Sequence, residues 1–314
     1  PNAYCMGSGM AVSKSFVIWA ERYLQNKHFG KHQECNTRCL IDKVTRFEDE
    51  HKHPMNIDSM TADDLRVFAD FLSSDYDISM NTIVTNMTLM RTVCNWVRKQ
   101  GVTNNDPFFG YDMPKALYGT PYFLTIQERD QVLDADLTDD AELAEYRDMF
   151  VFQCMVGCRH SDLVTFTPKN IIDGVLEYIP IKTKGKLGDV VRVPLIPKAM
   201  AILDGHDHGD DEPIFPKHYN FKFNDAIRRI LKRAKVNRVV TVINPKTRLE
   251  EKKPISDVAT SHLARRTFIG NLYRMVKDPD LVASMSGHAK GSVAFARYRV
   301  IDDDMKKSLV ELIQ

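Results

Sequence analysis

The sequence predicts a mainly α-helical protein with one small antiparallel β-sheet, an α+β fold. In residues 1–106, apolar side chains recur at helical spacing. Five proline and glycine residues then interrupt this pattern and predict a linker at 107–121. In the remaining domain, 122–314, two apolar strand-like segments at 175–182 and 189–194 flank a loop rich in lysine and glycine. Two domains are therefore expected, and only the second contains strands.

The first domain is predicted to be a small helical bundle. Its fourth and longest helix carries an apolar stripe, and its polar side includes Asn81, Thr82 and Arg91. No group of residues here has the spacing of a catalytic site. The predicted helices span 15–26, 37–50, 61–72 and 79–100.

The second domain is predicted to begin at a capping box, Thr125-x-x-Glu128, which starts its first helix. A strongly apolar helix at 146–156 ends at Gly157 and places Arg159 at the rim of the core. Four further helices are expected near 197–204, 219–234, 259–276 and 279–286.

Composition argues against a membrane or metal protein. Hydrophobic residues make up 43% of the chain and none of their runs approaches bilayer length, while the start has no signal-peptide pattern. The cysteine pairs Cys35/Cys39 and Cys154/Cys158 have helical spacing among apolar residues, which favours buried thiols. No second pair completes a tetrahedral zinc set, so we expect no metal and no cofactor.

One stretch, 260–298, concentrates the groups that attack a phosphodiester. His262 and Arg265 are spaced i, i+3 in the first turn of a predicted helix, so both point to one side. His288 follows in a turn after a second helix, and Tyr298 lies ten residues beyond it in a basic segment.

This order, H-x-x-R, then G-H, then tyrosine, resembles the signature of the tyrosine recombinases, the phage integrases. Upstream, 157–163 (GCRHSDL) resembles the family's first arginine box, and 176–195 resembles its lysine-bearing β-hairpin. The resemblance implies a helical core-binding domain at 1–106, which closes over DNA from the side opposite the catalytic domain. It also implies a tyrosine-recombinase catalytic domain at 122–314, ending in a tail helix.

Each residue of the set suits one task in phosphoryl transfer. Arg159 and Arg265 would neutralise the nonbridging oxygens, with His288 as a further donor. Tyr298 is the candidate nucleophile, and His262 is the candidate base that takes its proton. Lys182 would protonate the leaving 5′-hydroxyl.

Some assignments keep rivals. Tyr273 is the rival nucleophile, because Tyr298 lies one residue farther from His288 than is usual in the family. Lys184 and Lys186 compete with Lys182. Asp162 resembles an acid that orients the first arginine. The candidate DNA contacts are Asn81, Thr82 and Arg91 in the first domain and Arg228, Arg229, Arg266 and Lys290 in the second.

By resemblance, the product is a 3′-phosphotyrosyl enzyme that needs neither ATP nor metal. The implied partners are specific double-stranded recombination sites, accessory DNA-bending proteins and further copies in a homotetramer. The apolar C-terminal helix would dock on a neighbour or on its own domain. The expected setting is the bacterial cytoplasm, on the nucleoid, as an integrase of a phage or conjugative element.

Two other functions remain open at this stage. One is a type IB topoisomerase, and the other is a DNA-binding protein that keeps the fold without catalysis. The sequence leaves open the target site, the direction of the reaction and whether an arm-binding module precedes Pro1.

Overall fold

The computed structural model describes residues 14–26, 29–183, 190–206, 209–276, 278–288 and 310. They divide into two compact units, and the expected mainly α fold with a small antiparallel sheet is confirmed. The first unit takes the described residues of Pro1–Tyr118 and of Ile243–Glu250, and the second takes those of Gly119–Val242 and of Glu251–Gln314.

Four helices build the first unit, and their apolar sides enclose an aromatic core. Phe47 lies at its centre, with ring centroids 5.3 Å from Phe68 and 5.4 Å from Phe71. Thr61 and Asp64 form a capping box at the start of the third helix. The helices are α1 (Phe16–Gln25), α2 (Lys31–His51), α3 (Ala62–Ser74) and α4 (Met80–Lys99).

Helix α2 corrects two predictions. It begins at Lys31, six residues before the predicted start at 37. The prediction missed these residues because the first turns are polar and show no apolar periodicity. Cys35 and Cys39 lie on its exposed side, so the expectation that both are buried was wrong. Helical spacing fixes which residues share a face but does not say whether that face is covered. Cys154 and Cys158, in the second unit, are buried as expected.

The second unit surrounds the central helix α6, which is buried on all sides from Met149 to Val156. Helix α11 packs along it. The Thr125–Glu128 capping box is present at the start of α5. The helices are α5 (Ile126–Leu133), α6 (Ala141–Val156), α7 (His160–Leu163), α8 (Pro197–Asp204), α9 (Asn220–Arg233), α10 (Ile255–Val258), α11 (Ser261–Val276) and α12 (Pro279–Ser286).

The predicted hairpin is part of a three-stranded antiparallel sheet in the order β1-β2-β3, with Tyr178 opposite Val191. Strand β2 stops four residues before the predicted end, since Pro180 has no N–H for the ladder. A short 3₁₀ turn, Ile181–Thr183, follows instead. The strands are β1 (Ile171–Ile172), β2 (Val175–Tyr178) and β3 (Val191–Pro194).

A second, two-stranded sheet was not predicted. It pairs β4 (Val239–Ile243) with β5 (Glu250–Pro254). The sequence of β5, EEKKP, has no apolar alternation, so strand formation here depends on pairing with β4.

Within the described part of the chain, no helix has the length and apolar character needed to cross a bilayer. The same residues contain no group of histidine, cysteine and acidic side chains arranged to hold a metal ion.

Candidate active site

Arg265 is the centre of the site and is only 1% exposed. Its Nη1 donates a hydrogen bond of 2.7 Å to the carbonyl oxygen of Gly157. Its Nη2 lies 3.0 Å from Nδ1 and 3.2 Å from Nε2 of His288. One guanidinium group therefore joins the end of α6, the helix α11 and the turn after α12.

Gly157 makes this contact possible. It ends α6 in the left-handed region at φ 68°, where a side chain is strained. A Cβ built on it would lie 2.2 Å from Cδ1 of Phe268, so a side chain does not fit there. Gln153 supports the turn by donating from Nε2 to the carbonyl of Cys158 at 3.0 Å. Local geometry thus aims the Gly157 carbonyl at Arg265 and starts the chain toward Arg159.

Asp162, three residues after Arg159, links this turn to the hairpin. Arg159 is the extended residue before α7, and its buried Nη1 has no hydrogen-bond partner among the described residues. Asp162 is 1% exposed, and its Oδ1 accepts from the backbone N–H of Ile181 at 2.9 Å. Ile181 immediately precedes Lys182, so the arginine box and the lysine segment are held together by this carboxylate.

His288 is fixed from two sides. Its backbone N–H donates to Ala283, and Oγ of Ser286 lies 2.9 Å from its Nδ1. Ser286 also donates to the carbonyl of Val282 at 2.8 Å. Arg265 has only N–H donors, so the ring nitrogen of His288 that it contacts is an acceptor and carries no proton. The hydrogen bonds are consistent with a neutral imidazole.

Gly287 brings this turn against the hairpin. It adopts φ 65°, and a Cβ there would lie 2.9 Å from Cγ2 of Val191 and 3.1 Å from Cγ of Pro180. The close approach explains the glycine of the G-H pair. It also places His288 beside the base of the lysine-bearing hairpin.

Both histidines of the site have lowered pKa values. Burial, together with the charges of Arg265 and Arg159, lowers the pKa of His288 to about 3. The pKa of His262 is lowered to about 4, first by partial desolvation of the ring and then by the charges of Arg266 and Arg265. Both rings are therefore neutral at pH 7, which a hydrogen-bond acceptor and a general base require.

We expect the lowered pKa of His288 to make stability depend on pH. The folded state binds fewer protons than the unfolded state between pH 6.5 and about 3, so acid favours unfolding. The contribution is full above pH 6.5 and is lost as pH falls toward 3. The urea midpoint of the wild type should decline more steeply between pH 7 and pH 4 than that of His288→Gln. Parallel curves for the two proteins would contradict this expectation.

Only some of the remaining predicted site residues lie within the described part of the chain. Lys182 lies exposed in the 3₁₀ turn after β2. Tyr273, the rival nucleophile, is half-buried on α11. Four predicted positions lie outside the described residues: Lys184, Lys186, Lys290 and Tyr298. The predicted C-terminal helix also lies there, except for Val310.

The predicted DNA contacts of the first unit already have intramolecular contacts. Asn81 donates to the carbonyl of Leu117 at 2.8 Å and accepts from its N–H at 2.9 Å. Thr82 lies in the first turn of α4, where its N–H donates to Ser79. The guanidinium of Arg91 lies 5.9 Å from the ring centroid of Phe108.

The described candidate DNA contacts of the second unit also form intramolecular contacts. Arg229 pairs with Asp140 at 2.8 Å and Arg228 with Asp225 at 3.4 Å. Arg266 lies 5.2 Å from the ring centroid of Tyr122. None of these contacts tests DNA binding, so all of these assignments stay predictions.

Two residues that support the site were missed at the sequence level. Ser286 orients His288, as described above. Tyr178 lies on β2 with its hydroxyl buried and without a partner among the described residues. Burial raises its pKa, and the charges of Arg265 and Asp162 act on it, so it lies close to the catalytic groups. The alternation of β2 predicts that Tyr178 lies on the buried side, but only the tertiary fold decides its neighbours, such as Phe166 at a ring-centroid distance of 4.9 Å.

Comparisons with known proteins agree with this geometry. A model described as "Phage integrase family" matches residues 122–305, and one described as "Phage integrase SAM-like domain" matches residues 15–113. A search of curated proteins found no match.

Solved structures share the fold. The Tn1549 transposon integrase in complex with a circular intermediate DNA is 15% identical, with a TM-score of 0.71, covering 95% of this chain and 99% of that one. A lambda integrase dimer bound to a COC′ core site is 14% identical, with a TM-score of 0.67, covering 91% and 95%.

Proposed function

Because this chain belongs to the phage integrase family, and is thus a site-specific tyrosine recombinase, we propose which of its side chains carry the reaction. Tyr298 is the nucleophile, His262 its general base and Lys182 the general acid. Arg159, Arg265 and His288 stabilise the phosphoryl group. The observation that carries the proposal is the position of Arg265, which contacts the turn before Arg159 and the ring of His288 at once.

The reaction breaks one phosphorus–oxygen bond and forms another. The Tyr298 oxygen attacks phosphorus while His262 takes its proton. The bond from phosphorus to the 5′-oxygen breaks, and Lys182 gives that oxygen a proton. The phosphotyrosyl bond keeps the energy of the broken bond, so the 5′-hydroxyl of another strand can reverse the step.

Arg265 is suited to the transition state because it is already in place. Its Nη1 is held by a backbone carbonyl in a buried setting, so little reorganisation accompanies the growth of negative charge on phosphorus oxygens. His262 lies three residues before Arg265 on α11, so helical spacing puts the two residues on the same side of this helix.

The low pKa of His262 fits a base that is activated by substrate. Burial of the ring, together with the guanidinium charges of Arg266, Arg265 and Arg159, lowers the pKa of His262 to about 4 in the free protein. A bound phosphodiester brings negative charge to the same groups, which raises the pKa toward the range where proton transfer is efficient. DNA binding itself would therefore strengthen the base.

We further propose the larger assembly. Residues 1–106 act as the core-binding domain and 122–314 as the catalytic domain, with 107–121 between them. The relatives named above were solved with DNA, which supports a double-stranded recombination site as the substrate. The working form is a homotetramer joined through the C-terminal helix, assisted by DNA-bending proteins, on the nucleoid in the bacterial cytoplasm.

Covalent trapping tests the catalytic proposal. A randomised pool of biotinylated duplexes, each nicked near its centre, is incubated with the wild type in EDTA without ATP. The nick lets the cleaved fragment diffuse away, so the intermediate accumulates. We expect adducts that survive denaturant, with phosphorus linking the DNA 3′ end to the Tyr298 peptide in mass spectra.

Two outcomes would contradict it. Duplex binding without any adduct would leave a non-catalytic DNA-binding protein. An adduct on the Tyr273 peptide would move the nucleophile to α11.

A further inference from the structure

Helix α9 has two chemically different ends. Along its C-terminal half, the basic side chains are neutralised by acids of the same unit. Arg233 pairs with Asp139 at 2.6 Å and Lys232 with Asp257 at 2.8 Å. The Arg228 and Arg229 pairs described above continue this pattern. Cations that are already paired gain less from a phosphate, because an existing ion pair must be given up.

The N-terminal end presents the opposite arrangement. Tyr219 is 75% exposed and Phe221 69% exposed, and their rings stack with centroids 6.0 Å apart and an interplanar angle of 23°. Lys217 and Lys222 flank them, are exposed and form no ion pair with any described residue. We call these four residues the aromatic–lysine patch. Two large exposed rings flanked by unpaired cations are not required by the core of this unit.

The patch borders the catalytic residues. Oδ1 of Asn224 accepts from the backbone N–H of Ser261 at 2.8 Å, and Oγ of Ser261 bonds Oδ1 of Asn220 at 3.1 Å. Ser261 directly precedes His262. On the other side, the ring of Phe223 stacks on His160, with centroids 5.0 Å apart. His160 directly follows Arg159, so the start of α9 touches the neighbours of two proposed catalytic residues.

We propose that the aromatic–lysine patch contacts the DNA duplex that flanks the scissile phosphate. Lys217 and Lys222 bind backbone phosphates, and the rings of Tyr219 and Phe221 contact base edges and sugars. Charge complementarity and continuity with the catalytic groups favour duplex DNA over a protein partner. The proposal rests on the proposed function, because the scissile phosphate locates the patch on the DNA.

The two halves of the patch should give different signatures. Each phosphate contact contributes about 0.9 to the slope of log affinity against log salt concentration. Lys217→Gln/Lys222→Gln should therefore reduce that slope by about 2. Tyr219→Ala/Phe221→Ala removes apolar contact area but no charge, so it should lower affinity on the order of tenfold with the slope unchanged.

The measurement is fluorescence anisotropy with labelled duplex enriched by the wild type from the randomised pool, over a series of salt concentrations. Lys232→Gln/Arg233→Gln is the matched control, because it removes two charges from the same helix at the paired end. It should leave both affinity and slope close to those of the wild type.

Three outcomes overturn the proposal. If the control lowers the slope as much as the lysine variant, the loss of slope is not specific to the patch, because the paired end of α9 contributes equally. If both patch variants bind like the wild type, the patch has no role in binding. If the aromatic variant binds DNA normally but no longer self-associates in size-exclusion chromatography, the patch holds a second copy.

Adduct formation by the wild type is scored in the same samples. If the wild type binds tightly but forms no adduct, the catalytic proposal is contradicted and the patch proposal is not. If the wild type forms an adduct and the patch variants bind DNA as the wild type does, the patch proposal is contradicted and the catalytic proposal is not.

Discussion

A Tyr298→Phe variant is expected to bind duplex DNA as the wild type does and to form no covalent adduct. The substitution removes one oxygen atom and leaves the ring, so folding and DNA contacts should persist. Without that oxygen the chain has no attacking group, and the loss should reach the detection limit. The measurement is trapping on the nicked duplex selected by the wild type, with anisotropy on the same DNA.

Tyr273→Phe is the matched control, since it removes the hydroxyl of the rival tyrosine. It should keep adduct formation within a small factor of the wild type. If Tyr298→Phe still yields an adduct while Tyr273→Phe does not, the nucleophile has been misassigned.

Arg265→Lys is expected to lose cleavage by at least 10²-fold to 10³-fold, the usual effect of removing one preorganised donor. Lysine keeps the positive charge but lacks the planar fork that reaches the Gly157 carbonyl and His288 together. The carbonyl would lose its buried partner, which should cost about 1–3 kcal/mol of unfolding free energy. Single-turnover cleavage and urea unfolding measure the two effects.

Arg274→Lys on the same helix is the control for this change. Arg274 is exposed and lies over the ring of Phe123, 4.9 Å from its centroid. Its replacement should leave cleavage almost unchanged. Equal losses in the two variants would mean that α11 tolerates no substitution, and the catalytic assignment of Arg265 would lose its support.

Most of the helices followed from the sequence because their signals are local. Apolar spacing and caps gave α1, α4, α8 and α12 to within two residues. The order of the arginine, lysine, histidine and tyrosine boxes likewise indicated the family, because this order can be read from the linear sequence alone. Neither signal requires knowledge of what packs against a segment.

The remaining features depend on residues that are far apart in sequence. Gly157 and Arg265 are separated by 108 positions, and Asp140 and Arg229 by 89. No periodicity reports that Arg265 is buried against a carbonyl, or that acids neutralise the basic run of α9. The exposure of Cys35 and the strand β5 were missed for the same reason.

The sequence by itself thus determined most of the helices, the chemical groups and their order. Only the tertiary structure decided which of these groups meet, which cations remain unpaired and which carbonyl orients the central arginine. The physical reason is that secondary structure follows from contacts within a few residues, whereas burial and charge pairing are set by packing between distant segments.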